Sequence, residues 1–379
     1  MAEEAMATVA IWFKERFAYV ASILVLGANI LLVQRYALDD AWISFRYAAN
    51  WNKGWGLVYN YGERVEGYTN FLWTILIGLL MRVGAEPLSA SRLLGVLFGA
   101  ATLLVVYRFT RVLGFELQAF QLTSILLVAL NICFAAYLVS GMETGLFTFL
   151  VTWSAYRAAV ELRDSNKRPW SSLLFAIAAL TRPEGLMFFG ITWLFRLAVQ
   201  LRRREPIKSS IVSLLVFSAV FAPYFLWRYN YYGYPLPNTF YAKVGATPAQ
   251  FWRGIKYVLR FFAWFFGGGI LLVVPVAYLS LRNRSVLTTY LLAGVALYLA
   301  YIAYVGGDGN PLFRFIVPIY SAYLAFGISD RCIWPICFMA GLVAKAGSPS
   351  RKGRYACIGV WHRVCCRDTC SILALQKVG

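Results

Sequence analysis

Charged side chains and histidine are scarce in this chain of 379 residues. Asp, Glu, Lys and Arg make up 14% of it, and His362 is its one histidine. Soluble domains are about a quarter charged, whereas this chain is 60% hydrophobic with a mean hydropathy of +0.62. The composition excludes an ordinary soluble domain and predicts a polytopic membrane protein. Aromatic residues, at 17%, agree with this class because Trp and Tyr collect at membrane interfaces.

Motifs for nucleotide binding and serine nucleophiles are also missing. The sequence has no GxxxxGK[ST], no GxGxxG between a strand and a helix, and no GxSxG. The net charge of +19 comes from short basic clusters between apolar runs. Such clusters are typical of cytoplasmic loops of membrane proteins. We therefore predict no nucleic-acid partner.

Cysteine is almost absent until the last 48 residues, where six of the seven lie. Combined with His362 they suggest zinc, but the spacings match no finger or ribbon. We interpret 329–379 as an atypical Cys-rich tail that is divergent, truncated or out of frame, and assign it no function. The N-terminal "MAEEAMATVAIWFKERF" has no small-residue cleavage site, so the first apolar run is expected to be a retained span.

The apolar runs predict an all-α bundle of about ten transmembrane helices. A span needs about 20 mostly apolar residues. Basic connectors are placed in the cytoplasm, so the first span brings residue 36 to the outer side. "YRFTR" (107–111) must return to the cytoplasm, and only one crossing can lie between them. The run 71–82 is therefore predicted to be an interfacial or re-entrant helix. The predicted spans are 17–36, 91–113, 119–139, 143–160, 170–181, 185–200, 209–229, 258–281, 286–305 and 314–328.

The same threading places five polar segments on the outer face. Each alone is typical of a turn, but together they predict a shared site. The segments are 36–70, "SGMETG" (140–145), "TRPEG" (181–185), "RYNYYGYPLPNTFYAKVG" (228–245) and "GGDGNPLFRF" (306–315).

Asp39 and Asp40 are the most conspicuous carboxylates of these segments. We expect them to end the first hydrophobic helix, although a helix C-terminus favours cations. This local conflict favours a functional role, and a carboxylate at an apolar surface suits general-base work on a hydroxyl. A solvated helix cap remains the alternative.

Cations of the outer face are suited to a phosphate held in the membrane, because Arg binds phosphate bidentately. An enzyme on this face without a nucleotide site must take an activated substrate from the membrane, and a polyprenyl-phosphate sugar meets that need. Several cations are expected to pair with Glu66, Glu143, Glu184 or Asp308 instead. The cations are Arg46, Arg64, Arg182, Arg228, Lys243 and Arg314.

The aromatic residues of "WNKGWGLVYN" and "RYNYYGYP" fit either stacking on sugar rings or an interfacial belt. Both interpretations stay open at the level of sequence.

The stretch "DDAWISFRYAANWNKGWGLVYNYGERVEGYTNFLW" resembles the first outer loop of GT-C integral-membrane glycosyltransferases, in the branch of the bacterial terminal β-arabinofuranosyltransferases. "SGMETGLFTFL", "LTRPEGL", "YYGYPLPNTFYAKV" and "GGDGNPLFRFIVP" resemble later motifs of that branch in the same order, so the resemblance covers about residues 36–325. It implies a helix bundle with amphipathic helices in the first outer loop.

The resemblance also implies a lipid-phosphate-sugar donor and a catalytic Asp, which maps onto Asp39, the favoured residue, or Asp40. Other residues of the motifs would shape the donor and acceptor sites. They are Arg46, Arg64, Glu66, Tyr68, Asn70, Glu143, Arg182, Glu184, Asn238, Lys243, Asp308 and Arg314. Gly309 and Asn310 depart from the branch, where a bulky residue and Met are expected.

The function expected from the sequence is transfer of a sugar from a polyprenyl-phosphate donor to a cell-envelope glycan, lipid or protein acceptor. The catalytic domain is expected to be 1–328, with its first outer loop at 37–90, in the cytoplasmic membrane and with a periplasmic or extracytoplasmic active face. A divalent metal ion, Mg²⁺ or Mn²⁺, can bridge a carboxylate and the donor phosphate, although no dedicated ligand set is evident. A transporter or flippase of a lipid-linked saccharide and a non-catalytic membrane factor remain alternatives.

Overall fold

The computed structural model describes residues 19–112, 118–164, 167–243, 247–266, 286–310 and 312–320. Within these ranges the chain forms helices joined by turns, with no strand. The predicted all-α class is confirmed. The ends of the predicted spans 258–281 and 314–328 and the Cys-rich tail lie outside the described residues.

Thirteen helices are found in the described ranges. In chain order they are α1 (Tyr19–Val33), α2 (Asp39–Asn52), α3 (Phe71–Arg82), α4 (Pro87–Val112), α5 (Gln118–Leu130), α6 (Ile132–Val139), α7 (Thr144–Arg163), α8 (Trp170–Thr181), α9 (Glu184–Arg203), α10 (Lys208–Tyr232), α11 (Asn238–Lys243), α12 (Pro248–Phe266) and α13 (Val286–Val305).

Four of these helices, α4, α9, α10 and α13, are long and apolar enough to cross a membrane. Shorter apolar helices are α1, α3 and α8. The helices α3 and α8 have the bounds of the predicted runs 71–82 and 170–181. The interfacial placement of α3 stays a prediction.

Two sequence expectations were wrong about where helices begin and end. The predicted span 119–139 is divided into α5 and α6 because Asn131 caps α6, where its side-chain oxygen accepts the Phe134 N–H at 3.1 Å. The first helix ends at Val33, so Asp39 and Asp40 do not follow its C-terminus; they form the first turn of α2. Carboxylates are favoured there by the helix dipole, and the expected electrostatic conflict does not exist.

A glycine allows α12 and α13 to pack closely against each other. A Cβ on Gly254 of α12 would lie 2.3 Å from the carbonyl oxygen of Ala303 in α13, so only glycine permits this approach. The contact holds the end of α13, and the turn that follows it, beside α12. Arg253 Nε donates to the Gly306 carbonyl at 3.1 Å and fixes the same junction.

A separate buried ion pair, together with a hydrogen bond, connects α7, α8 and α9. Glu161 of α7 accepts the Ser171 N–H at 2.9 Å and pairs with Arg196 of α9. Both charged side chains are almost fully buried. Since breaking a buried pair leaves an uncompensated charge, this contact fixes the three helices relative to one another.

Candidate active site

One cavity of about 870 Å³ collects polar side chains from all five segments singled out in the sequence. Apolar side chains such as Met187, Leu236 and Phe240 line other parts of its wall. A cavity with an apolar wall and a few convergent polar groups is typical of a substrate site. The polar and charged residues of the wall include Asp40, Ser44, Tyr68, Asn70, Glu143, Arg182, Glu184, Arg253, Asp308, Asn310 and Arg314.

Asp40 is the carboxylate of this wall that solvent and substrate can reach. Its side chain is 38% accessible, and its Oδ2 lies 3.2 Å from Asn310 Nδ2 and 3.6 Å from Arg314 Nη1. Asp39 is exposed and is not part of the wall. Neighbouring residues of an α-helix point about 100° apart, so only one of the two can face the cavity.

The position of Asp40 is set by the turn that precedes α7. Leu38, in an extended conformation before α2, donates its N–H to the Ser140 carbonyl at 3.1 Å. Trp73 of α3 donates its indole N–H to the neighbouring Gly141 carbonyl at 3.0 Å. The segment 140–143 therefore fixes both the start of α2 and the face of α3.

Arg182 is the centre of a buried charge cluster in the wall. It bonds Glu184 at 2.8 Å and lies 3.4 Å from Glu143, whose other oxygen accepts from Asn70 Nδ2 at 2.8 Å. Ser44 in turn donates to Asn70 Oδ1 at 3.0 Å. Burial lowers the pKa of Arg182, but Glu184 and Glu143 raise it well above its usual value, so the guanidinium stays charged.

A second ion pair lies on the other side of Asp40. Arg314 Nε is 2.7 Å from Asp308 Oδ2, and both side chains are almost fully buried. Asn310 reaches across, with its Nδ2 at 3.2 Å from Asp40 and 3.4 Å from Asp308. Asp308 is thus neutralised by an arginine, whereas Asp40 keeps an accessible carboxylate.

Arg253 is a wall residue that sequence reasoning missed. Its side chain is exposed, and Nε donates to the Gly306 carbonyl at 3.1 Å, which orients the guanidinium at the cavity. Arg253, Lys256 and Arg260 recur at helical spacing just before and within the predicted span 258–281. The outer side of the membrane was expected to be poor in cations. The helical spacing of these three cations was therefore the signal in the sequence that could have identified Arg253.

The loop between α2 and α3 is tied to α10 by a buried ion pair. Arg228 donates to both oxygens of Glu66, at 2.9 and 2.8 Å through Nε and 2.5 Å through Nη2. Burial raises the pKa of Glu66, and the Arg228 contacts lower it in part. The pair supports the wall from behind, since Gly67 and Tyr68 line the cavity and Glu66 does not.

Three further predicted residues lie outside the wall, and a fourth, Lys243, is described only in its backbone. Arg46 bonds the Tyr59 carbonyl at 2.8 Å, and Arg64 lies 4.8 Å from the centre of the Tyr231 ring. Asn238 is exposed and donates its backbone N–H to the Glu66 carbonyl at 3.1 Å. Lys243 ends α11, and its side chain is outside the described part of the structure.

No three or more His, Cys, Asp or Glu side chains come together to hold a metal ion within the described ranges. Asp40 and Asp308 approach each other, but Arg314 and Asn310 contact both of them. These residues therefore form an ion-pair cluster.

The fold is similar to that of a membrane protein of known structure. Over 87% of its length the chain resembles the crystal structure of ArnT from Cupriavidus metallidurans bound to undecaprenyl phosphate, with a TM-score of 0.54 and 14% identity, covering 63% of that chain. This likeness confirms the predicted polytopic membrane helix bundle.

In sequence the chain is similar to terminal β-(1→2)-arabinofuranosyltransferases. It is 26% identical to that of Corynebacterium glutamicum, covering 79% of this chain and 49% of the relative. It is 28% identical to that of Mycobacterium tuberculosis, covering 60% and 38%. The chain thus spans half or less of the length of these relatives. The predicted resemblance is confirmed, although no family model matches the chain.

Proposed function

We propose that this chain is a membrane glycosyltransferase that moves a sugar from a polyprenyl-phosphate donor to a cell-envelope glycan, lipid or protein acceptor. The similarity to arabinofuranosyltransferases supports a pentose as the sugar. The undecaprenyl phosphate bound by ArnT supports a polyprenyl-phosphate carrier. The reaction takes place at the outer face of the cytoplasmic membrane.

Asp40 is the general base in this proposal, in place of Asp39, which the sequence favoured. The observation that carries this assignment is the accessibility of Asp40. The wall holds four carboxylates. Glu143, Glu184 and Asp308 are buried beside arginines, and Asp40 alone is substantially accessible. A base must come within hydrogen-bond reach of the hydroxyl that it deprotonates.

The reaction breaks the bond between the anomeric carbon and the phosphate oxygen. The acceptor hydroxyl forms the new glycosidic bond and gives its proton to Asp40. The leaving polyprenyl phosphate carries the negative charge away. We assign the stabilisation of that charge to Arg253, because Arg182 and Arg314 are already paired with carboxylates.

Apolar wall residues give the carrier a route into the cavity. Leu186, Leu236 and Phe240 belong to the wall and are also exposed on the surface of the bundle. A prenyl chain can therefore remain in contact with lipid while its phosphate enters the polar part of the wall. The expected role of Lys243 at the phosphate stays a prediction, as does the use of a divalent metal ion.

The test uses the full chain reconstituted in liposomes with a panel of radiolabelled polyprenyl-phosphate sugars that includes arabinofuranose. We expect transfer to an acceptor glycan, and we expect Asp40→Asn to reduce the rate by about 100-fold or more, the usual contribution of a general base. The matched control is Asp39→Asn, which should stay close to wild type.

Two results would contradict the proposal. One is transfer that depends on Asp39 and not on Asp40. The other is the absence of transfer and of donor hydrolysis with every sugar, in protein that is folded and inserted. Arg253→Ala is expected to lower kcat/KM for the donor more than Arg253→Lys does, because a lysine keeps the charge that stabilises the leaving phosphate but not the bidentate geometry.

A further inference from the structure

Three aromatic side chains are displayed on the outer surface of the loop between α2 and α3. Trp55 is 43% exposed, Tyr59 38% and Tyr61 74%, and the Trp55 and Tyr61 rings lie 5.2 Å apart. We call these three residues the aromatic platform. Contiguous exposed apolar side chains on a folded protein are a place to look for an interaction surface.

The loop that carries the platform is held firmly although its surface is exposed. Side chains of α2 and α10 bond its carbonyl groups: Asn50 bonds those of Val58 and Tyr59, each at 2.9 Å, and Tyr232 bonds that of Leu57 at 2.8 Å. The rings are therefore preorganised, which lowers the entropic cost of binding a ligand.

Tyr47 extends this support toward the cavity. Its hydroxyl donates to the Val65 carbonyl at 2.6 Å and accepts the Gly67 N–H at 2.8 Å. Burial raises the pKa of Tyr47 to about 12, so the hydroxyl remains able to donate. The Tyr47 ring lies 5.9 Å from Tyr59 of the platform and 4.5 Å from Tyr68 of the cavity wall. The platform is thus next to the proposed active site.

The surroundings of the platform are exposed and contain polar residues. Residues 59–65 are all exposed, and they include the polar side chains Asn60, Glu63 and Arg64. Lys53 lies 4.8 Å over the Trp55 ring, and Arg46 lies 4.2 Å over the Tyr59 ring. Charged groups of both signs disfavour insertion of this loop into the hydrocarbon core of the membrane.

We infer that the aromatic platform binds a glycan acceptor beyond the residue that reacts. Aromatic rings offer flat, rigid apolar area for the C–H face of a sugar. The neighbouring Asn60, Glu63 and Lys53 supply donors and acceptors for hydroxyl groups. The inference rests on the proposed transfer to a glycan and deepens it: the acceptor is an oligosaccharide several residues long.

The test measures binding without turnover. Full-length Asp40→Asn protein in nanodiscs is titrated with a linear arabinofuranose hexasaccharide and, separately, with an octyl arabinofuranoside. We expect Trp55→Ala and Tyr61→Ala each to weaken hexasaccharide binding about tenfold, a loss somewhat below that of a hot-spot residue. Trp55→Phe should retain most of the affinity, and binding of the octyl arabinofuranoside should not change.

Trp170→Ala is the matched control, because Trp170 is similarly exposed at the start of α8. The inference is overturned if Trp55→Ala and Tyr61→Ala bind the hexasaccharide like the parent, if Trp170→Ala weakens binding equally, or if the parent does not bind it. Quenching of Trp fluorescence by brominated lipids that is reduced in Trp55→Phe would also overturn it in favour of a membrane contact, because the other 12 tryptophans are the same in both proteins. Because no donor is present, these outcomes do not depend on whether transfer occurs.

Discussion

At the scale of single residues, the cavity keeps one carboxylate accessible among several that are paired. Asn310 is the neutral side chain that contacts this carboxylate, with Nδ2 3.2 Å from Asp40 Oδ2. In the sequence, Asn310 was noted only as a departure from the expected motif. Its position in the structure gives Asn310 a physical role, because its hydrogen bond to the charged oxygen of Asp40 restricts the orientation of that carboxylate.

We expect Asn310→Ala to lower kcat about tenfold while KM for the donor stays nearly constant. A hydrogen bond to a charged group contributes about 1.5–3 kcal/mol, and this one would act on the base and not on donor binding. Steady-state kinetics with a labelled polyprenyl-phosphate sugar measure both constants. Gly309→Ala is the control, since a Cβ there meets no atom within 4 Å; a change in donor KM alone would contradict the role assigned to Asn310.

Arg182 has a structural role that its substitution should reveal. Arg182→Met would leave Glu143 and Glu184 buried without their cation, and losing one partner of a buried pair costs about 3–5 kcal/mol. Thermal unfolding in detergent measures this loss. The exposed Arg202→Met should change stability by less than about 0.5 kcal/mol. Equal stabilities of the two variants would show that the cluster is not needed for folding.

At the scale of helices, the approach of α12 to α13 can be tested with two glycines. Gly254→Ala would place a Cβ 2.3 Å from the Ala303 carbonyl, and relieving such overpacking costs about 1–3 kcal/mol. We also expect donor KM to rise, because Arg253 and Gly306 lie at the same junction.

Gly294→Ala is the counterpart in α13, because a Cβ there meets no atom within 4 Å. In a helix interior this change is expected to stabilise by about 0.5–1 kcal/mol. Both variants are compared by thermal unfolding in the same detergent. A Gly254→Ala protein as stable as the wild type, or no more destabilised than Gly294→Ala, would contradict the close packing at Gly254.

The sequence was most informative about helices bounded by clear polar residues. The run 71–82 is apolar, preceded by Asn70 and ended by Arg82, and the helix has those bounds. The run 119–139 was misread as one helix because a single Asn131 inside an apolar stretch carries little weight in composition, yet its side chain caps a new helix. Hydropathy indicates which residues can be buried, but it does not show where a side chain caps a helix by hydrogen bonding.

The choice between Asp39 and Asp40 could not be made from sequence. It depends on how α2 is rotated about its own axis, and that rotation is set by Leu38 and its bond to Ser140, about 100 residues away along the chain. Gathering the polar segments into one cavity was predicted from the side of the membrane on which each falls. Arg253 was overlooked because the same rule expects few cations there.

At the scale of the whole molecule, the threading predicts that Gly309 and Lys167 lie on opposite sides of the membrane. In a variant whose seven cysteines are replaced by alanine, Gly309→Cys should react with a membrane-impermeant maleimide on intact cells, and Lys167→Cys should not. Both positions are exposed in the fold. Labelling of both positions from the same side would refute the threading.

The short turn 140–143 joins more of the molecule than its length suggests. Ser140 receives a bond from the start of α2, Gly141 one from α3, and Glu143 contacts both Asn70 and Arg182. Gly141 has a φ of +88°, and a Cβ there would lie 2.7 Å from that of Ala41, so the turn tolerates no side chain at this position. Since three distant parts of the chain contact these few atoms, substitutions in any two of them should give non-additive effects on folding.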